Sequence, residues 1–428
     1  MGIVSSSIKM ISGRVLSILI SFFTGVILAR YLGAENRGLL SLYLNTIGFV
    51  VLILNAGIAE SSIYLLNIGE FDRNQLIKNQ IFYLFNVALI FSIAAILLKP
   101  FFGTLSSSDF YCLLIIAVLM LFNSIFRHYL LADKQIGFYT SSVIIENIGY
   151  LVLVFITAFF KFSFIFILLS NLFSQIIVFL FLIRKLKLEL PEFGLPIVNF
   201  LYIKRSYAFG LHLFFTGLGG FGLQRIGLYI LNYFSGTKSV GIYTVASTLP
   251  TIYENLPQQI STIAFTYVVG ENDIGKRKMI ATGIVKLVLY IIVLAALPVF
   301  LFPDEIIILI FGKEFSELGM LTILLTVSTI FSGLSGIFYN FLAGMGKPKF
   351  GTYLTFLNLS VTFITSVFFI YYFGLVGAAW AKLISSVVSV VFIGYFFLRD
   401  YKLTVSDIIL VNKGEWSMLI NYLKFFRR

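Results

Sequence analysis

Long apolar stretches recur down this chain, many near the roughly 20 residues an α-helix needs to cross a bilayer. Hydrocarbon admits only backbone whose polar groups are satisfied within the structure, which here means helices. The stretches fall at about residues 8–30, 39–66, 76–98, 110–131, 138–160 and 163–183, then 205–233, 240–268, 280–301, 318–343, 351–373 and 375–398. The fold expected is an all-α integral membrane protein with about twelve transmembrane helices, six in each half. Composition agrees, since 59% hydrophobic residues, 12% charged residues and a mean hydropathy of +0.99 lie far outside the range of a water-soluble domain.

The halves are copies of one plan. ARYLGAENRGLL, with Gly33 and Gly38, returns 203 residues later as NYFSGTKSVGIY, with Gly236 and Gly241. In both, an apolar helix ends in an aromatic residue and a glycine, crosses a tight polar loop, and restarts at a second glycine five residues on. FIT at 155–157 answers FIT at 363–365, and the turn at Lys134 answers the one at Lys347. Duplicated helical halves are characteristic of transporters. The longest polar break, RKLKLELPEFGLPIVNFLYIK at 184–204, lies between segments six and seven, where two prolines and basic residues favour a loop. The domain reading is an N-lobe at 1–187, a cytoplasmic linker at 188–203, a C-lobe at 204–400, and a tail at 401–428. In that tail Trp416, Leu419, Ile420 and Leu423 recur at helical spacing and predict an amphipathic helix on the inner leaflet.

An even number of spans puts both termini on one side. With the N-terminus cytoplasmic, 21 of the 31 basic residues fall in inner loops and tails, 6 in outer loops and 4 inside spans. The positive-inside rule therefore favours cytoplasmic termini. The net charge of +12 reads as topology signal and headgroup attraction rather than nucleic-acid binding, because the bases are scattered over separate loops. The first apolar segment is long enough to span and lacks a small-residue cleavage site, so it is expected to remain as helix one. The start MGIVSS fits a loose myristoylation pattern, which a multi-span chain does not need. Cys112, the single cysteine, excludes an intrachain disulfide.

Charge inside hydrocarbon is the best pointer to chemistry, since a mid-bilayer Lys, Arg or Asp costs about 2.5–3.5 kcal/mol on insertion scales. The four basic residues counted inside spans are Arg14, Arg225, Lys286 and Lys382; Glu60, Glu146 and Glu254 are the acidic counterparts. Arg14 and Lys286 lie about two turns from the cytoplasmic ends of their helices and have a snorkelling alternative. Arg225 follows the glycine-rich run TGLGGFG, where a hinge and plain helix packing explain the glycines equally. That run is not a dinucleotide loop, because its flanks form one apolar helical segment. Glu254 lies between Pro250 and Pro257, which permit a kink, and is the leading proton or cation site; its alternative is a structural ion pair with Arg225 or Lys286. His128 and His212 read as satisfied polar residues, and no residue cluster has metal-ligand spacing.

ARYLGAENRGLLSLYL strongly resembles the ARxLGxxxxGxxxL signature of Wzx-like O-antigen and polysaccharide flippases. These belong to the multidrug/oligosaccharidyl-lipid/polysaccharide (MOP) exporter superfamily. The resemblance continues through GIYTVASTLP at 241–250, IFGKEFSE at 310–317, LAGMGKPKF at 342–350 and GLVGAAWAKLISS at 374–386. It implies two pseudo-symmetric six-helix lobes around a V-shaped cavity open alternately to each side. It also implies movement of an undecaprenyl-diphosphate-linked oligosaccharide from the inner to the outer leaflet of the bacterial cytoplasmic membrane. On that resemblance Arg14, Arg225, Lys286 and Lys382 are the residues available to bind the diphosphate and glycan. Glu254, Glu146 and Glu60 are available for coupling to H+ or Na+. Membrane lipid and polysaccharide-assembly proteins are the implied partners, and no cofactor is implied.

Two other readings compete. A drug exporter of the same fold needs cavity carboxylates, and the first helix carries Arg14 but no Asp or Glu. A membrane glycosyltransferase or polymerase acting on the same lipid needs a large outer loop with catalytic groups. The one sizeable outer loop expected, about 302–317, offers Asp304, Glu305 and Glu314 around an apolar turn.

Overall fold

The computed structural model describes residues 3–67, 73–101, 105–186, 200–269, 273–347 and 349–409. Among these residues the regular structure is entirely helical. The helices are α1 (Ile3–Asn55), α2 (Ile58–Asn67), α3 (Arg73–Leu98), α4 (Ser107–Ala132), α5 (Ile136–Phe159) and α6 (Ile165–Leu186). They continue with α7 (Phe200–Val269), α8 (Ile274–Leu301), α9 (Pro303–Phe311), α10 (Gly319–Gly344), α11 (Lys349–Tyr401) and α12 (Val405–Ile409). Eight helical stretches among the described residues are long and apolar enough to cross a membrane. Three of the helices are bent pairs, each interrupted at a single non-helical glycine: Gly33 in α1, Gly236 in α7 and Gly374 in α11. The limbs on either side of these glycines follow the order of the apolar segments read from the sequence.

Gly33 and Gly236, 203 residues apart, adopt nearly the same backbone, with φ 67°, ψ −178° and φ 78°, ψ 171°. Only glycine visits such angles without strain. The following glycines of the two motifs meet reciprocally. A Cβ on Gly38 would lie 2.0 Å from the Thr237 carbonyl oxygen, and one on Gly241 would lie 1.7 Å from the Ala34 carbonyl oxygen. The repeat also extends to the lysine turns. At the end of α4, Gln135 N–H donates to the Leu130 carbonyl at 2.7 Å; at the end of α10, Lys347 N–H donates to Leu342 at 3.1 Å. Both are six-residue Schellman closures, with Lys134 and Gly346 in the left-handed position.

The segment expected to run unbroken over 39–66 is interrupted. Ala56 and Gly57 take positive φ (46° and 78°) between α1 and α2. Asn55 Oδ1 accepts the Ala59 N–H at 3.0 Å, capping the new helix and satisfying a donor that the break exposes. The corresponding limb of α7 stays helical through Pro250 and Pro257, so the kink those prolines permit does not form a break. The glycines of TGLGGFG are likewise helical. The supposed loop at 302–317 is built of α9 and a 3-10 turn at Lys313–Leu318. There Asp304 Oδ1 accepts the Gly319 N–H at 3.0 Å, and Glu314 Oε1 accepts the Ala34 N–H at 3.3 Å. Two of its three acids therefore hold backbone.

The chain forms two compact units, Met1–Leu32 with Leu39–Phe221, and Gly33–Gly38 with Gly222–Arg428. The division falls inside the glycine run of α7 because the start of that helix packs on first-unit residues. Gly210 and Gly57 are in backbone contact, Tyr64 stacks on Phe209 with centroids 4.2 Å apart, and the Tyr207 and Tyr83 hydroxyls are 3.2 Å apart. The first unit has a core around Leu76, Leu121, Ile125 and Tyr129, with another around Leu40, Ile116 and Ile167. The second is centred on Val285, Ile337, Phe341, Phe397 and Tyr401. Large apolar side chains such as Phe85, Leu97, Phe159 and Leu294 face outward, as a lipid-exposed surface requires. The linker mostly lies outside the described residues, and Trp416, Leu419, Ile420 and Leu423, on which the tail helix is expected, lie outside them entirely.

Candidate functional site

The second unit gathers charge around Lys382. The hairpin at Gly374 folds the second limb of α11 back on the first so closely that a Cβ on Gly377 would lie 1.9 Å from the Phe369 carbonyl oxygen. Ala378, Ala379 and Ala381 are buried in that packing, while Lys382 remains partly open. Its Nζ lies 3.6 Å from Glu254 Oε2, on the second limb of α7, with side-chain exposures of 32% and 29%. Ser332 of α10 donates to Glu254 Oε1 at 3.4 Å. Tyr243 lies within electrostatic range of both charges, and Arg225 within range of Lys382. Arg225 itself is half-buried, and among the described residues it has no ion-pair partner. Glu254 is thus paired with Lys382, and not with Arg225 or Lys286, the partners named for the alternative of a structural ion pair.

Lys286 stands apart, as a fully buried side chain in α8. Outside the spans, the Asp407 carboxyl of α12 is held below its ordinary range chiefly by the Thr404 N–H and then by its hydroxyl. The Lys278 and Lys286 charges add to that effect. Lys286 is therefore in electrostatic reach of the short helix following α11. Arg14 is exposed on the first limb of α1, in the other unit.

The first unit holds the other two carboxylates, each engaged. Glu146 of α5 pairs with Arg127 of α4 and accepts from Gln175 Nε2 of α6 at 2.7 Å. Asn123 Nδ2 donates to Gln175 Oε1 at 2.8 Å, and Arg127 Nε donates to Ser142 Oγ at 3.1 Å. Both Glu146 oxygens are occupied, so this is a clasp joining three helices. Arg127 is not among the span charges singled out from the sequence, although it lies inside the apolar segment 110–131 beside His128. Glu60, in the first turn of α2, accepts from Asn55 Nδ2 at 3.0 Å and lies 3.8 Å from His128 Nε2. The other His128 nitrogen is 2.7 Å from the Ser124 carbonyl and must donate to it, leaving Nε2 to face Glu60. The His212 side chain is outside the described residues.

Comparison with known proteins agrees with this architecture. A model of the family described as "Polysaccharide biosynthesis protein" matches residues 3–269. A probable low-salt glycan biosynthesis flippase, Agl15 of Haloferax volcanii, is 24% identical over 179 residues, covering 41% of this chain and 38% of that protein. The chain spans less than half the length of the curated relatives it matches. The fold is similar to lipid II flippase MurJ in an inward closed conformation (TM-score 0.74, 17% identity, 97% of this chain and 93% of that one). It is also similar to an inward-facing multidrug resistance MATE family transporter of the MOP superfamily (TM-score 0.68, 15% identity, 92% and 99%). With more than half its length under that family model, this chain belongs to the polysaccharide biosynthesis protein family.

Proposed function

We propose that the chain is a flippase that moves a lipid-linked glycan across a membrane by alternating access, with an undecaprenyl-diphosphate-linked oligosaccharide as cargo, carried from the inner to the outer leaflet of a bacterial cytoplasmic membrane. The observation that carries the reading is the pair of partly open cations, Arg225 and Lys382, on apolar helices of one unit. A lipid diphosphate brings roughly two negative charges, and charge-assisted hydrogen bonds from a guanidinium and an ammonium offset its desolvation. Its outward movement runs with an inside-negative potential, worth about 2.3 kcal/mol per charge per 100 mV. Both termini are cytoplasmic on this reading, and polysaccharide-assembly proteins are its partners. Export of organic cations is disfavoured because Glu60 and Glu146 are engaged within the first unit, and a cationic cargo at Glu254 would meet the like charge of Lys382. Transport rather than glycosyl transfer fits Asp304 and Glu314, which are occupied in holding backbone.

Complementation of a flippase-null strain tests the reading. The wild-type chain should restore surface glycan. Arg225→Ala at equal membrane levels should lose most of that activity, and Arg225→Lys should retain part, since lysine keeps the charge but not the planar fork. Wild-type activity in Arg225→Ala would remove Arg225 from the site; glycosyl transfer by purified protein would replace transport with catalysis.

A further inference from the structure

Among the described residues, the Arg127–Glu146 and Lys382–Glu254 pairs differ in how tightly they are closed. Arg127 and Glu146 are in direct contact, Gln175 donates to the other Glu146 oxygen, and Ser142 accepts from Arg127 Nε. Lys382 and Glu254 are 3.6 Å apart, beyond hydrogen-bond range, and about a third of each side chain is exposed. The hydrogen bond that Glu254 accepts from Ser332 is long, at 3.4 Å. Lys382 is the cation that Glu254 faces among the described residues, and Lys382 remains reachable.

Resting on the flippase reading, we infer that Lys382 exchanges its partner when the anion arrives, leaving Glu254 to take up a proton, so that binding of the lipid diphosphate is coupled to protonation of Glu254. A diphosphate offers Lys382 a partner of higher charge, and Arg225, in electrostatic range of Lys382, adds a second donor for it. Among the described residues, the titratable and charged groups facing Glu254 are Lys382 from α11 and Tyr243 from its own helix. Once Lys382 turns to phosphate, Glu254 has lost its cation and gained an anionic neighbour, and both changes favour the neutral acid. The proton comes from water at the partly exposed Glu254 side chain and returns to water when the anion leaves and Lys382 re-pairs. No other bond forms or breaks. The coupling ion is thus H+, and it travels with the anion. The charge crossing the membrane falls from roughly two to roughly one per lipid, which halves the pull of the membrane potential.

Farnesyl diphosphate binding to the purified full-length protein in detergent tests this. Titration calorimetry in buffers of different ionisation enthalpy counts protons taken up, and Glu254→Gln subtracts those the ligand itself binds. The wild type should take up close to one proton more than Glu254→Gln. The ratio of wild-type to Glu254→Gln affinity should fall by up to about tenfold per pH unit, over the range where bound Glu254 is protonated and free Glu254 is not. Infrared difference spectra of the wild type should gain a protonated carboxyl band on binding, a readout that needs no substituted protein to fold. Binding with no such band, or with equal proton uptake in wild type and Glu254→Gln, overturns the coupling and leaves the flippase reading intact. Failure of the wild type to bind farnesyl diphosphate overturns the anion site on which both rest.

Discussion

Glu146 shows how an intramembrane charge can be structural: both its oxygens are satisfied by side chains from two neighbouring helices. Removing one partner of such a pair leaves a charge in low dielectric without compensation, whereas replacing both by apolar groups of similar size is often neutral. Arg127→Met should therefore destabilise the protein by about 1–3 kcal/mol, the range for a buried group left without its partner. Arg127→Met combined with Glu146→Met should recover much of that loss, read as thermal midpoints in detergent and combined as a double-mutant cycle. A double substitution no more stable than the single one would return Glu146 to the functional candidates. The sequence showed Glu146 as an apolar-segment acid but gave no sign that Arg127, Asn123 and Gln175 converge on it. Side chains from three helices meet through tertiary packing, which linear spacing does not encode.

Helix ends carry a recurring device. Lys134, Lys161 and Lys402 each occupy the left-handed position after a helix, where Gly346 stands in the second copy of the lysine turn. The Schellman hydrogen bond follows each one, from Gln135 to Leu130, Phe162 to Thr157 and Leu403 to Leu398. A side chain in that conformation costs roughly 1–2 kcal/mol relative to glycine, reduced by the entropy glycine loses on folding. Lys134→Gly and Lys402→Gly should each stabilise by about 0.5–1 kcal/mol, seen as a raised thermal midpoint. A lowered midpoint would mean that the ammonium groups contribute more than the strain costs, through the helix C-terminal dipole or lipid headgroups. Apolar length located most of these elements well. It did not reveal the break at Ala56–Gly57, because isoleucines and leucines continue on both sides of it and the Asn55 cap resembles any polar residue in a span.

At the scale of the whole chain, the basic asymmetry leads to a topology that reporter fusions can check. Fusions after Arg399 and within 185–204 should read cytoplasmic, and a fusion after Lys99 should read external; a periplasmic signal after Arg399 would rule out the even span count. The repeat was readable because each copy must place glycine at the same two backbone positions, one for its dihedral angles and one for close approach. The charged site was readable only as separate residues, since the pairing of Lys382 with Glu254 joins positions 128 apart in the chain. The contact between the two motifs has one more property. Gly38 approaches the carbonyl of Thr237 as Gly241 approaches that of Ala34, and the paired positions are related by the repeat offset. A contact in which i meets j and j meets i is isologous, the form made by two identical subunits across a dyad. The two copies of the motif thus meet as two identical subunits would, each lending the other the backbone groove that its own second glycine fills.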